Sequence, residues 1–306
     1  MFVYREMTMK IGFIGIGNMG LPMAFNLARF GYEVTAFDKS EQACLLGQKR
    51  GLRVASTMNE FSKAENIIIT MLPADDHVAE VYIGKEGILD RVSQSTILVD
   101  CSTIDVNTSR TLADEAKSRN LDMLDAPVSG GVSGAESGSL TFMVGGEGIA
   151  LEKVRPVLQV MGKNIVHAGA SGMGQAAKVC NNMLLGVSMI GISESFTLAD
   201  RLGLDPKILF DIMSSATGDC WALRNHLPIA GIVETSAANR SFSPGFAVAM
   251  MAKDLRLAES AAKSVDLQTD LGILASTMYT EFEKGGSGHL DYSAIINLIQ
   301  QKAFSK

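Results

Sequence analysis

Between Lys163 and Glu194 the chain carries one formally charged side chain, Lys178, in the run GMGQAAKVCNNMLLGVSMIGISESFTLAD from Gly172 to Asp200. The residues after it are apolar nearly all round, the pattern of a helix threading a packed interior. An ammonium held there loses hydration, so it must be paired, reach a cavity or give up its proton. Asn181 and Asn182 stand three and four residues on, which puts both amides on the helical face of Lys178. A lysine and an amide projecting together form a proton-transfer and orienting pair. The same spacing also suits a lysine that snorkels outward from the first turns of its helix. The purely apolar part is only about ten residues, short of a bilayer's thickness.

Two further segments have residue types suited to chemistry. Gly15-Ile16-Gly17-Asn18-Met19-Gly20 follows the apolar run MKIGFIG, opens the helical stretch LPMAFNLARF, and precedes the strand YEVTAFD that ends at Asp38. That context turns a weak glycine pattern into a dinucleotide-binding turn. Gly15 permits the tight turn, Gly17 the approach of a pyrophosphate and Gly20 the close helix–strand packing. Backbone amides at the helix start supply the anion site. Asp38 accepts hydrogen bonds from the adenosine ribose and repels a 2′-phosphate, so NAD is favoured over NADP; Lys39 softens that preference. The second segment is Ser129-Gly130-Gly131 within DAPVSGGVSG, residues 125–134. Its hydroxyl and adjacent amides make a carboxylate cradle, or else a glycine-serine loop with no ligand.

These residues need elements to hold them. Residues 66–72 (NIIITML), 95–100 (STILVD) and 121–126 (LDMLDA) read as strands, with a helix over 105–119 among the helical stretches between them. The alternation predicts a parallel, doubly wound α/β sheet of Rossmann type. Leu72-Pro73, Asp100 to Thr103 and the 125–134 segment fall at the carboxyl ends of these strands, where such sheets bind ligands. Leu140–Val144 and Ile165–His167 read as closing strands around the helix IALEKVRPVLQVMG. Beyond the Lys178 helix no strand pattern recurs, and 205–213, 246–263, 268–284 and 291–300 read as helices, with Asp291 and Ser293 starting the last. The expected domains are therefore 9–171, a dinucleotide-binding sheet; 172–203, a long interdomain helix; and 204–306, an all-α domain. In the last, Lys253-Asp254 follows FAVAMMA, by default a solvated pair at the edge of an apolar face.

The 306 residues suffice for two domains, with 47% hydrophobic and 20% charged side chains and a net charge of −6. With no lysine or arginine block, nucleic acid and anionic membranes are not expected partners. Cys44, Cys101, Cys180 and Cys220 are too scattered for a disulfide framework or a metal knuckle, which suggests a reducing, cytoplasmic setting. No metal site is expected, since His167, His226 and His289 lack ligand spacing. The first nine residues, MFVYREMTM, are too short for a leader, and Met9 is an equally good start.

Together GIGNMGLPMAFNL, DAPVSGGVSGAESGSL, the GxGxxxKxxNN pattern from Gly172 to Asn182 and MAKDLRLA around Lys253 resemble the β-hydroxyacid dehydrogenase family, over nearly everything from Lys10 to Gln301. The resemblance implies that Lys178 is the catalytic lysine and that Asn182 positions substrate. It implies that Ser129, Gly130 and Gly131 bind the substrate carboxylate, that Thr103 lies near the nicotinamide, and that Lys253 contacts the cofactor; Leu72 and Pro73, at their strand end, are expected to bind the cofactor too. It further implies a homodimer or homotetramer built through the helical domain. Cys220-Trp221 and Asp291-Tyr292-Ser293 look like the branch acting on (S)-3-hydroxyisobutyrate with NAD, in valine catabolism, with Trp221 at the substrate pocket. Tartronate semialdehyde, glyoxylate or succinic semialdehyde reductases are the alternative within the family, and a non-catalytic cofactor-binding protein the alternative outside it. Arg224-Asn225-His226-Leu227-Pro228 departs from the Tyr-Asn-Pro turn expected of that branch.

Overall fold

The computed structural model describes residues 9–61 and 66–304. Of the nine residues read above as too short for a leader, the first eight fall outside the described residues. Apolar, β-branched runs form the strands and glycine-punctuated amphipathic runs the helices. β1 (Lys10–Ile14), α1 (Gly20–Phe30), β2 (Glu33–Phe37), α2 (Glu41–Lys49) and β3 (Arg53–Val54) make the first half of a sheet. β4 (Ile67–Thr70), α3 (Asp75–Ile83), β5 (Ile97–Asp100), α4 (Val106–Ser118) and β6 (Asp122–Asp125) repeat the alternation. β7 (Val128–Ser129), α5 (Gly131–Ser137), β8 (Leu140–Gly145), α6 (Gly148–Met161) and β9 (Gly162–Gly169) follow.

The strands lie in the order β3-β2-β1-β4-β5-β6-β8-β7, with β9 also on β8. Those from β3 to β6 are mutually parallel, whereas β8 runs antiparallel to β6 and β7. Strand order reverses between β1 and β4, the switch point at which doubly wound sheets bind nucleotides. Burial explains why the central strands read as unbroken apolar runs. Ile67, Ile69, Val99 and Leu124 pack on one face with Leu27 of α1 and Val154 of α6. Ile68, Leu98 and Met123 pack on the other with Val81 of α3 and Leu112 of α4. Alternate residues therefore face two covered sides, and neither is polar.

The segment after β6 differs from its sequence reading. Residues 125–134, read as a polar loop at a strand end, include β7 and the start of α5. Val128 pairs with Phe142 and Ser129 with Thr141 on β8. Gly130, at φ 132°, turns the chain into α5, and Asn26 of α1 donates to the Ala135 carbonyl at 2.8 Å. A two-residue strand has no periodicity to read, and a helix of glycine and serine has little intrinsic propensity. Both exist because β8 and α1 hold them.

The helices that follow are α7 (Met173–Arg201), α8 (Pro206–Met213), α9 (Trp221–His226), α10 (Val248–Lys263), α11 (Asp270–Phe282) and α12 (Ile295–Phe304). The chain divides into two compact units, one running to Lys178 and the other starting at Val179, so the division falls inside α7. The second unit is built on Met189, Phe196, Leu223, Met251, Leu255, Tyr279 and Ile295. α7 is long and apolar enough to cross a membrane by length and composition, yet half of that stretch is buried in the protein, as in a core helix. Pro206 begins α8, whose first amides bond to Asp205. The last helix starts at Ile295, not Asp291, because Asp291 instead caps a short 3-10 turn, accepting from Ser293 N at 3.1 Å and Ser293 Oγ at 2.6 Å.

Candidate active site

The turn between β1 and α1 separates the duties of its three glycines. Gly15 has φ 91°, and a Cβ there would strike the Met71 carbonyl. A Cβ on Gly20 would strike the Gly15 carbonyl. Gly17 is exposed, and a Cβ there would meet nothing within 4 Å. Protein packing thus requires the outer two glycines and leaves the middle one without a packing reason. The space it leaves lies at the start of α1, where Met19 supplies no side-chain cap and Asn18 is exposed. Open backbone amides there fit the pyrophosphate of a dinucleotide. Asp38 follows β2; its Oδ2 accepts from Ile16 N at 2.9 Å and its Oδ1 from Ser40 N at 2.8 Å. Each oxygen keeps a lone pair for a ribose hydroxyl. The neighbouring Lys39 pairs with Glu80 at 3.3 Å, both exposed.

Beyond β4, β5 and β6 the loops are tied together by buried side chains. Asp100 Oδ1 accepts from Thr70 Oγ1 at 2.7 Å and from Ser102 Oγ at 2.6 Å. Ser102 Oγ in turn accepts from Leu72 N at 2.8 Å. Leu72 and Thr103 are half-buried and Pro73 is exposed. Burial and the Asp100 charge push the Cys101 thiol well above its ordinary range, so this cysteine is inert. Ser129, Gly130 and Gly131 sit at the β7–α5 junction, the serine half-buried and Gly130 exposed. Asp125, at the end of β6, has its carboxyl pushed up to about 6 by burial, with the Asp100 charge adding to it and bonds from Gly172 and Gln175 opposing it.

Lys178 stands in the second turn of α7 and is 6% exposed. The outward-snorkelling alternative would require an exposed ammonium, so burial argues against it. Gln175, one turn earlier, is fully buried; its Nε2 donates to Ser102 O at 2.8 Å and its Oε1 accepts from Ile104 N at 3.2 Å.

The second unit holds the remaining candidates. Asn182, 2% exposed, donates from Nδ2 to Asp254 Oδ2 at 2.5 Å and accepts at Oδ1 from Asn181 at 2.9 Å. Its amide is therefore fixed in orientation. Half-buried Lys253 lies 3.8 Å from Asp254 Oδ1. Asp254 itself was missed by sequence reasoning, which treated the Lys253-Asp254 pair as solvated. The available signal was its position between Met251 and Leu255 on the apolar face of α10. Trp221 opens α9 and is 59% exposed, with its ring 5.0 Å from that of His226, which lies 5.3 Å from that of Tyr292. Burial holds His226 below its usual value, and Arg240 adds to this against the opposing pull of Asp291. Arg224 pairs at 2.7 Å with Asp219 and is exposed, a surface charge. The first unit thus carries Ser129, Gly130, Gly131, Lys178 and all the proposed cofactor residues except Lys253. The second carries Asn182, Trp221 and Lys253. Among the described residues, no three His, Cys, Asp or Glu side chains are gathered for a metal.

Residues 10–169 match the family model for the NAD binding domain of 6-phosphogluconate dehydrogenase. Residues 172–299 match that for the NAD-binding domain of NADP-dependent 3-hydroxyisobutyrate dehydrogenase. The chain is 42% identical to a 3-hydroxyisobutyrate dehydrogenase of Pseudomonas aeruginosa, over 95% of this chain and 99% of that one. It is 43% identical to an NAD-dependent L-serine dehydrogenase of the same organism, over 95% and 97%. A solved structure of Mycobacterium tuberculosis 3-hydroxyisobutyrate dehydrogenase with L-serine superposes with a TM-score of 0.91 at 42% identity, covering 96% of this chain and all of that one.

Proposed function

The chain belongs to the β-hydroxyacid dehydrogenase family, an NAD-binding oxidoreductase family, and on that premise we propose that it oxidises (S)-3-hydroxyisobutyrate to methylmalonate semialdehyde, with Lys178 as general acid/base. The observation that carries this reading is the buried Lys178, in the turn of α7 tied to the loops at the carboxyl ends of a Rossmann sheet. NAD, when bound, accepts the hydride released from the hydroxyl-bearing carbon. Lys178 Nζ takes the hydroxyl proton as that hydride leaves, and returns it to the alkoxide oxygen in the reverse direction. Ser129 Oγ and the amides of Gly130 and Gly131 hold the substrate carboxylate. Asn182, its amide fixed by Asp254, orients the hydroxyl. Trp221 covers the substrate, and Lys253 contacts the cofactor. Gly15, Gly17, Asn18, Met19 and Gly20 form the pyrophosphate turn, Leu72 and Pro73 contact the cofactor, Thr103 lies near the nicotinamide, and Asp38 selects NAD over NADP.

L-serine is the second reading, favoured by the names of a 43% identical relative and of the superposed structure. A four-substrate panel separates the two, comparing kcat/KM for 3-hydroxyisobutyrate, L-serine, glycerate and glycolate with NAD or NADP. Preference for 3-hydroxyisobutyrate with NAD supports the reading. Preference for L-serine moves the substrate and keeps the chemistry, preference for glycerate or glycolate moves the enzyme to the reductase branch, and no turnover at all overturns it. Valine breakdown would be the setting of the first outcome. We further propose a homodimer or homotetramer built through the helical unit, supported by the exposed Leu184 and Leu198 of α7, Leu202 just past its end, and Leu271 and Leu274 of α11. Four free thiols suit a cytoplasmic setting.

A further inference from the structure

We propose that Asp125 and Gln175 form a positioning frame that fixes the Lys178 turn of α7 against the loops following β4 and β5. The proposal rests on the reading of Lys178 as the proton-transfer group. Asp125 Oδ1 accepts from Gly172 N at 2.7 Å, and its Oδ2 from Gln175 N at 2.9 Å. Amides at a helix start have no partner within the helix, and a local serine or aspartate usually supplies one. Here the cap comes from the end of a strand, 47 residues upstream of Gly172. The Gln175 side chain then reaches Ser102 O and Ile104 N, bracketing Thr103 from both sides. Ser102 passes the connection on to Leu72 N and to Asp100.

The carboxylate fills a slot that glycine alone leaves open. A Cβ on Gly145 would strike Asp125 Oδ1, and one on Gly174 would approach Asp125 Oδ2 to 2.8 Å. The slot exists only because both positions are glycine. Gln175 and Lys178 are three residues apart and share a helical face, so whatever fixes the first sets the stem of the second. A buried hydrogen-bonded network is stiff, and losing one member leaves its partners unsatisfied. Stiffness matters here because a small misplacement of a proton-transfer group lowers the rate more than it lowers binding.

The test is Gln175→Met, which removes both side-chain bonds while keeping length, helix propensity and the backbone N–H held by Asp125. Four readouts are needed: kcat against KM for NAD, the deuterium isotope effect on kcat with label at the hydroxyl-bearing carbon, the emission of bound NADH, and the melting temperature. We expect kcat to fall by about tenfold or more with KM for NAD nearly unchanged. The isotope effect should rise, and the emission of bound NADH should shift at nearly unchanged affinity. A lower melting temperature with kcat, isotope effect and emission intact would overturn the proposal, leaving the network a stabilising role alone. Gln175→Glu, which keeps the acceptor for Ile104 N but loses the donor to Ser102 O, should fall between wild type and Gln175→Met, and it serves if the methionine variant does not fold. If the wild-type protein oxidises none of the panel, the functional reading fails separately, and the emission of bound NADH decides on the frame by itself. An unchanged spectrum in Gln175→Met would then overturn it.

Discussion

Asp125 shows how one side chain joins stability to the site. Its carboxyl is raised from the ordinary 3.8 to about 6, chiefly by burial. Between those values the folded protein holds a proton that the unfolded chain releases, so the group favours folding most at low pH. That contribution fades as pH climbs through about 6, with an amplitude of about 3 kcal/mol. Asp125→Asn cannot ionise and should escape this change. Chemical denaturation of both proteins from pH 4 to pH 7 checks it: the wild type should lose stability relative to the variant by roughly that amount. A difference that stays flat would mean that the carboxyl titrates in its ordinary range. Asn182 makes a related point. The sequence pairs it with Lys178 by helical spacing, but only the fold reveals the Asp254 bond that fixes its amide.

At the scale of elements, the β1–α1 turn and the strands after it were legible because each carries a strong local pattern. Glycines at fixed offsets, apolar runs and the aspartate closing β2 all point the same way. The glycines lead to a direct prediction. Gly20→Ala should cost about 1–3 kcal/mol of stability, since its Cβ strikes the Gly15 carbonyl. Gly17→Ala should leave the melting temperature near wild type while weakening NAD binding by about tenfold, its Cβ filling the space left open at the start of α1. Equal destabilisation of both variants would contradict the division of duties, and calorimetry with NADH titration reads it directly. What the sequence concealed depends on long-range partners. β7 and α5 are held by β8 and α1, and neither the Asp125 cap nor the Gln175 bridge leaves any trace in local spacing. The last helix begins late for the same reason, because Asp291 also accepts from Gly245 N and Phe246 N.

Taken whole, the chain combines an NAD-binding sheet and an all-α unit that exposes several leucines. Leu271 and Leu274 are exposed on α11, Leu184 and Leu198 on α7, and Leu202 just past the end of α7. Such surfaces on a folded unit mark association sites. Sedimentation should therefore find the wild type as a dimer or larger, and a Leu271→Asp, Leu274→Asp double variant shifted towards monomer. A monomeric wild type at micromolar concentration would contradict the proposed assembly. In the proposed reaction Lys178 moves the proton in an NAD-dependent oxidation of a β-hydroxy acid. The most direct measurement is the turnover of Lys178→Ala on the substrate preferred by the wild type, with NADH affinity and melting temperature measured on the same sample. We expect kcat lower by about a thousandfold, with binding and folding intact. Near-wild-type turnover under those conditions would contradict it.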